Sequence, residues 1–137
     1  MRAPTEHAVL ENARVERFRE LLLAPAGPSQ LAELGDLMFA SHASYSACVL
    51  GNETTDWIVE QVRQGRAKNN GLWGARITGG GSGGTVAILG ERPRAWLEAL
   101  RIKRDLALRI GHPPELLRWS SDGAHAFGGL RLDPVGP

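Results

Sequence analysis

Five glycines in six positions, Gly79 to Gly84 with Ser82 among them, constrain this chain more than any other segment. Each glycine in ordered structure costs roughly 0.5–1 kcal/mol relative to alanine. A run this dense therefore needs positive φ angles or a close approach of bare backbone. Apolar runs with strand character lie on both sides, Leu72 to Ile77 before it and Val86 to Leu89 after it. The short glycine-rich join between them predicts a hairpin. Successive backbone N–H groups in such a join can form a concave anion site, with phosphate the usual guest. A loose hairpin connection is the other reading, and composition leaves both open.

Two generic phosphate motifs fail here. Gly79, Gly81 and Gly84 have the G-x-G-x-x-G spacing, but a dinucleotide site needs a helix directly after the glycines. The next residues are instead Thr85-Val86-Ala87-Ile88-Leu89, a strand run. A Walker A loop ends in Gly-Lys-Ser/Thr, and the run holds no lysine.

Helical periodicity dominates the first half of the chain. Residues 7–23 carry Val15, Phe18 and Leu22 on one stripe, with Leu21 beside it. Ser29 is placed to N-cap a second helix running to about Leu50, with Leu31, Leu34, Met38, Tyr45 and Val49 as its stripe and Gly51 and Asn52 closing it. A third helix starts near Thr54 or Thr55, buries Ile58, Val59 and Val62, and fades by Lys68. Glu53 and Asp56 suit its positive end. After the hairpin, Pro93 sits in the first turn of a helix from about Arg92 to Ile110, with Ala95, Ala99, Ile102, Leu106 and Ile110 inward. Leu116 to Trp119 and Leu130 to Leu132 read as two further strands, joined by the polar link Ser120 to Gly129. The layout is one α+β domain over residues 1–137, with helices on one face of a mainly antiparallel sheet.

Charge and composition exclude several functions. Lys and Arg number 16 against 15 for Asp and Glu, so the basic excess of a nucleic-acid binder is missing. The arginines of the last helix, Arg92, Arg94, Arg101, Arg104 and Arg109, are diluted by Glu91, Glu98 and Asp105. A lone cysteine, Cys48, rules out an intrachain disulfide and a thiolate metal site. The four histidines show no metal-ligand spacing, so no metal residue is assigned. No apolar run approaches the ~18 residues that span a bilayer, and the expectation is a cytoplasmic protein without a membrane partner. Ser41, His42 and Tyr45 gather on one side of the second helix as polar residues of a cleft or an interface.

Three stretches carry a family resemblance. They are Arg2-Ala3-Pro4 with Glu11-Asn12-Ala13-Arg14-Val15 and Phe18, then Ser41 to Cys48 with Thr54-Thr55-Asp56, and finally Ala75 to Val86 with the glycine run. Together they resemble the C-terminal domain of the GHMP kinases, nearest the galactokinase and L-arabinokinase branch. The resemblance implies a ferredoxin-like α+β sandwich with added N-terminal helices. It also implies use of ATP with Mg²⁺ to phosphorylate the anomeric hydroxyl of galactose or L-arabinose. Gly79, Gly80, Gly81, Ser82, Gly83 and Gly84 would then lie beside the ATP phosphates, with His42 and Tyr45 structural or at a domain interface.

Kinases of this type are much longer. Their N-terminal half carries the sugar-reading motif, a Ser-rich phosphate loop and the catalytic aspartate, and none of these occurs in this sequence. The expectation is a C-terminal fragment with no catalytic residue of its own, inactive alone and completed by an N-terminal partner half. The alternative is a non-catalytic module that binds a nucleotide, another anion or a protein.

Overall fold

A computed structural model describes residues 3–79, 84–118, 126 and 128. Its elements are α1 (Ala3–Leu23), α2 (Pro28–Ala47), α3 (Glu53–Ala67), β1 (Leu72–Thr78), β2 (Thr85–Gly90) and α4 (Arg94–Ile110). The α+β layout, with an antiparallel hairpin and helices added ahead of it, is the one the residue pattern implies.

The strands pair antiparallel from Thr78↔Thr85 to Leu72↔Gly90. The register slips by one residue between Leu72 and Gly74, leaving Trp73 without a counterpart in β2. The core gathers Phe39 of α2, Val59 and Val62 of α3, Leu72 and Ala75 of β1, and Ala95 and Ile102 of α4. Trp57, Ile58, Val86 and Ile88 pack around it. In α4 the buried positions Ala95, Ile102 and Leu106 follow helical spacing. Gly111 ends the helix at φ 79°, and its N–H reaches Ala107 O at 3.0 Å.

Several expected details are corrected. Of the apolar residues near the end of α1, Leu21 is the buried one, while Val15 and Leu22 are 52% and 61% exposed. The cause is that α1 rests mainly on α2, so only a narrow stripe is covered. Pro28, not Ser29, opens α2, because a fixed φ and a missing N–H suit the first helical position; Gly27 is the cap. The helix stops at Ala47, and Val49 turns to φ 62° with 88% exposure. Asn52 does not close α2. Its side chain accepts the Thr55 N–H at 2.9 Å, and Thr55 Oγ1 accepts the Asn52 N–H at 3.2 Å, a reciprocal cap at the start of α3.

Leu116–Arg118, the described part of an expected strand, is not in the sheet. Leu117 is exposed, and the Arg118 guanidinium stacks 5.0 Å from the Trp96 ring centre. The expected strand Leu130–Leu132 and most of the Ser120–Gly129 link lie outside the described residues. No helix among the described residues is long and apolar enough to cross a membrane.

A close approach of α2 to β1 sets the position of the hairpin against the helices. Gly35 of α2 faces Gly74 of β1, and a Cβ built on Gly74 would lie 2.4 Å from Gly35 Cα. A Cβ on Gly35 would lie 2.0 Å from Trp73 O. Two glycines therefore let a helix backbone touch a strand backbone. The Trp73 carbonyl, at the register slip, accepts from Arg66 Nη1 at 3.1 Å. The same arginine pairs with Asp36 at 2.6 Å.

Candidate functional site at the glycine hairpin

About two and three turns beyond Gly35, α2 presents Ser41, His42 and Tyr45 to its surroundings. His42 is 6% exposed and meets β1 directly. Its Nδ1 accepts the Ile77 N–H at 3.4 Å, and its Nε2 lies 3.0 Å from Asp56 Oδ1. A strand N–H at Nδ1 requires the lone pair there, so the proton sits on Nε2 and is donated to Asp56. Burial pushes the His42 imidazole below its ordinary range. Asp56 opposes this, and Arg63 and Arg76 reinforce it. The ring stays neutral with both nitrogens engaged.

Asp56 also accepts from Ser46 Oγ at 3.0 Å. The carboxylate read as a helix-start charge thus ties α3 to two residues of α2. Sequence reading missed this link, because nothing local in the chain announces a contact across the α2–α3 turn.

Tyr45 sits one turn further along α2. Its hydroxyl donates to the Gly79 carbonyl at 3.3 Å, at the end of β1. The His7 ring of α1 stands edge-on to the Tyr45 ring at 5.5 Å. His7 Nδ1 shares a 2.9 Å hydrogen bond with Ser44 Oγ.

Gly79 has φ 73°, and nothing lies within 4 Å of where its Cβ would be. The left-handed conformation, not crowding, is what calls for glycine there. Thr78 Oγ1 donates to Thr85 O at 3.0 Å across the neck of the hairpin. Gly84 is exposed. The expected phosphate-side residues Gly80, Gly81, Ser82 and Gly83 lie outside the described residues.

Ser41 turns elsewhere. Its Oγ donates to Glu11 Oε1 at 2.5 Å, an oxygen shared with Arg76 Nη1 at 2.7 Å. Arg14 Nη1 donates to the other carboxylate oxygen at 3.2 Å. Burial raises the Glu11 carboxyl, but Ser41, Arg76 and Arg14 together outweigh it, and the net shift is downward. The structure therefore brings His42 and Tyr45 to the hairpin and places Ser41 in a separate knot between α1, α2 and β1.

Chemically, the hairpin neck offers bare backbone and hydroxyl groups. His42 is buried with both nitrogens in use, and Glu11 already accepts from Ser41, Arg76 and Arg14. No group of three or more His, Cys, Asp or Glu among the described residues is arranged to hold a metal ion.

Comparison with known proteins gives a consistent picture. The family model described as GHMP kinases C terminal matches residues 18–104. L-arabinokinase of Arabidopsis thaliana is 38% identical over 138 aligned residues, covering 96% of this chain and 13% of that protein. A galactokinase of Levilactobacillus brevis is 37% identical over 112 residues, covering 80% of this chain and 26% of its own length. A galactokinase of Thermotoga petrophila is 33% identical over 93 residues, 67% of this chain and 24% of that protein. The chain spans between 13% and 26% of the length of these relatives.

Proposed function

The chain belongs to the family of GHMP kinase C-terminal domains, and from that premise we propose that it is the C-terminal part of an ATP-dependent sugar 1-kinase. In this reading the hairpin around Gly79–Gly84 lies beside the ATP phosphates, and the acceptor is the anomeric hydroxyl of galactose or L-arabinose. The observation that carries it is the neck of the hairpin. Gly79 leaves β1 in a left-handed conformation with open space around it, at the head of a glycine-rich segment bounded by Thr78 and Thr85. Successive backbone N–H groups of a glycine-rich join can form an anion site.

Phosphoryl transfer depends mostly on positioning and on stabilising charge on the transferring group. The hairpin supplies part of that positioning. The proton acceptor for the sugar hydroxyl and the sugar-reading groups come from an N-terminal kinase half, since His42 is buried with both nitrogens engaged and Glu11 is committed to Ser41, Arg76 and Arg14 between α1, α2 and β1. No group of three or more His, Cys, Asp or Glu gathers among the described residues, and no ligand for the Mg²⁺ that accompanies the nucleotide is assigned to them. The C-terminal part alone turns over no sugar.

Isothermal titration with MgATP tests the reading, with the chain alone and then with a matched N-terminal half. Saturable binding by the combined halves, weakened when Gly79 is replaced by valine, is the expected result. Absence of nucleotide binding in the combination would overturn it.

A further inference from the structure

Alternation along the strands gives the hairpin two faces. Ala75, Val86 and Ile88 turn into the core with α3 and α4. Arg76 and Ala87, paired across the register, turn the opposite way. That second face meets α1 and α2 at an open groove of about 410 Å³.

The groove is largely apolar. Val15, Phe18 and Leu22 of α1 line one side, and Leu37 and Met38 of α2 the other. Spacings of three and four residues set the α1 side chains in one row along the helix. Val15 and Leu22 are 52% and 61% exposed, while Met38 below them is buried. A helix face meant for water carries polar residues, and an apolar row rimmed by charge marks a protein contact.

The rim is cationic. Arg14, Arg19 and Arg76 line the groove against one carboxylate, Glu11. Arg14 and Arg76 share that carboxylate. Arg19 has a side chain 74% exposed and pairs with Glu16 of its own helix at 3.5 Å. A partner with a carboxylate at this height is attracted, and one with a cation is repelled. The groove also adjoins the proposed site. The Arg76↔Ala87 pair lies two residues from Thr78↔Thr85 at the hairpin neck, about 7 Å along the strands.

We propose that this groove seats the N-terminal kinase half, through an apolar segment that carries a carboxylate opposite Arg19. The choice of occupant rests on the kinase reading. This chain spans 13% to 26% of the length of its relatives, so most of such a protein lies outside this domain. In that reading the missing part must bring the proton acceptor and the sugar-reading groups to the hairpin, and a body seated in this groove reaches the neck. The larger groove along α4 and β2 is walled in part by the chain's own residues 114–118, with Arg118 over Trp96.

Isothermal titration of the chain into a matched N-terminal half, without nucleotide, reads the contact. Val15→Asp and Leu22→Asp each place a charge in the apolar row and should weaken association by roughly 10-fold or more. Both side chains are exposed in the chain alone, so its far-UV circular dichroism should not change. Arg19→Glu reverses one rim charge and should weaken association by roughly 3- to 10-fold, with the loss shrinking as salt is raised. Leu117→Asp alters a leucine of similar exposure, 66%, in the groove along α4 and should leave association within about 2-fold of wild type. Sedimentation of the chain alone should show a monomer.

Association that is unaffected by Val15→Asp and Leu22→Asp, or is lost with Leu117→Asp instead, overturns the proposal and leaves the kinase reading standing. Self-association of the chain that Leu22→Asp abolishes makes the occupant a second copy and overturns it too. Halves that associate through this groove and form no sugar phosphate refute the kinase reading and leave the docking face in place. Halves that do not associate overturn both.

Discussion

Gly35→Ala offers a test in which two well-known effects pull in opposite directions. Gly35 lies inside α2, where helix propensity alone favours alanine by up to about 1 kcal/mol. The new Cβ, however, would sit 2.0 Å from Trp73 O and 2.6 Å from Trp73 C. Both neighbours are backbone atoms, so no rotamer change relieves the overlap. The helix and strand must part by about 1 Å or more to restore ordinary contact. That movement stretches the His42–Ile77 and Tyr45–Gly79 hydrogen bonds, already 3.4 and 3.3 Å long, past useful length. Overpacking of this kind costs about 1–3 kcal/mol, and each lost hydrogen bond about 1 kcal/mol. Set against the propensity gain, the net destabilisation is about 2–4 kcal/mol, or roughly 6–16 °C in Tm. Urea unfolding followed by far-UV circular dichroism measures it. Gly27→Ala is the control, because nothing lies within 4 Å of its Cβ and its φ of 180° is extended backbone. Because Gly27 caps α2 and alanine caps poorly, it should lose only about 0.5–1 kcal/mol, below the Gly35→Ala loss. If Gly35→Ala is as stable as the wild type or more so, the contact between α2 and β1 is not what positions the hairpin.

Further substitutions probe the elements around the site. Asn52→Ala removes the reciprocal cap of α3 and should cost about 1 kcal/mol in a urea titration. Glu11→Gln leaves Ser41, Arg76 and Arg14 without their shared carboxylate and should cost about 1–3 kcal/mol by the same measurement. His42 supplies a pH dependence of known sign. Burial, only partly offset by Asp56, holds its folded pKa below 6.5, so below that pH the unfolded chain takes up a proton that the folded chain resists. Its contribution to stability is therefore complete above pH 6.5 and declines as the pH falls toward the lower folded value. His42→Gln should flatten that limb of a urea-midpoint profile, and an unaltered slope would contradict the neutral, doubly bonded ring.

Much of the architecture is legible in the residues themselves. The hairpin follows from two apolar runs joined by glycines, and α4 from apolar residues at helical spacing closed by Gly111. These features are local, and local chemistry fixes them. Three others are not. Gly35 and Gly74 each look like a weak point in a helix or a strand, and only their meeting in space reveals a backbone contact. Asn52 is equally good at ending one helix and starting the next; the reciprocal bond with Thr55 decides it. In α1, Leu21 and Leu22 are neighbours, and which one is buried depends on how α1 leans on α2. At the site, the glycines and the polar side of α2 could be picked out from the sequence. Joining Tyr45 and His42 to the strand end, and sending Ser41 to Glu11, needed the fold.

Phosphorus NMR of the chain combined with a matched N-terminal half, supplied with MgATP and either galactose or L-arabinose, addresses the kinase reading itself. An anomeric sugar phosphate should accumulate with ADP only when both halves are present, and Gly79→Val should slow its formation. ATP that remains intact, or ADP that accumulates without a sugar phosphate, would contradict a sugar 1-kinase built on this domain.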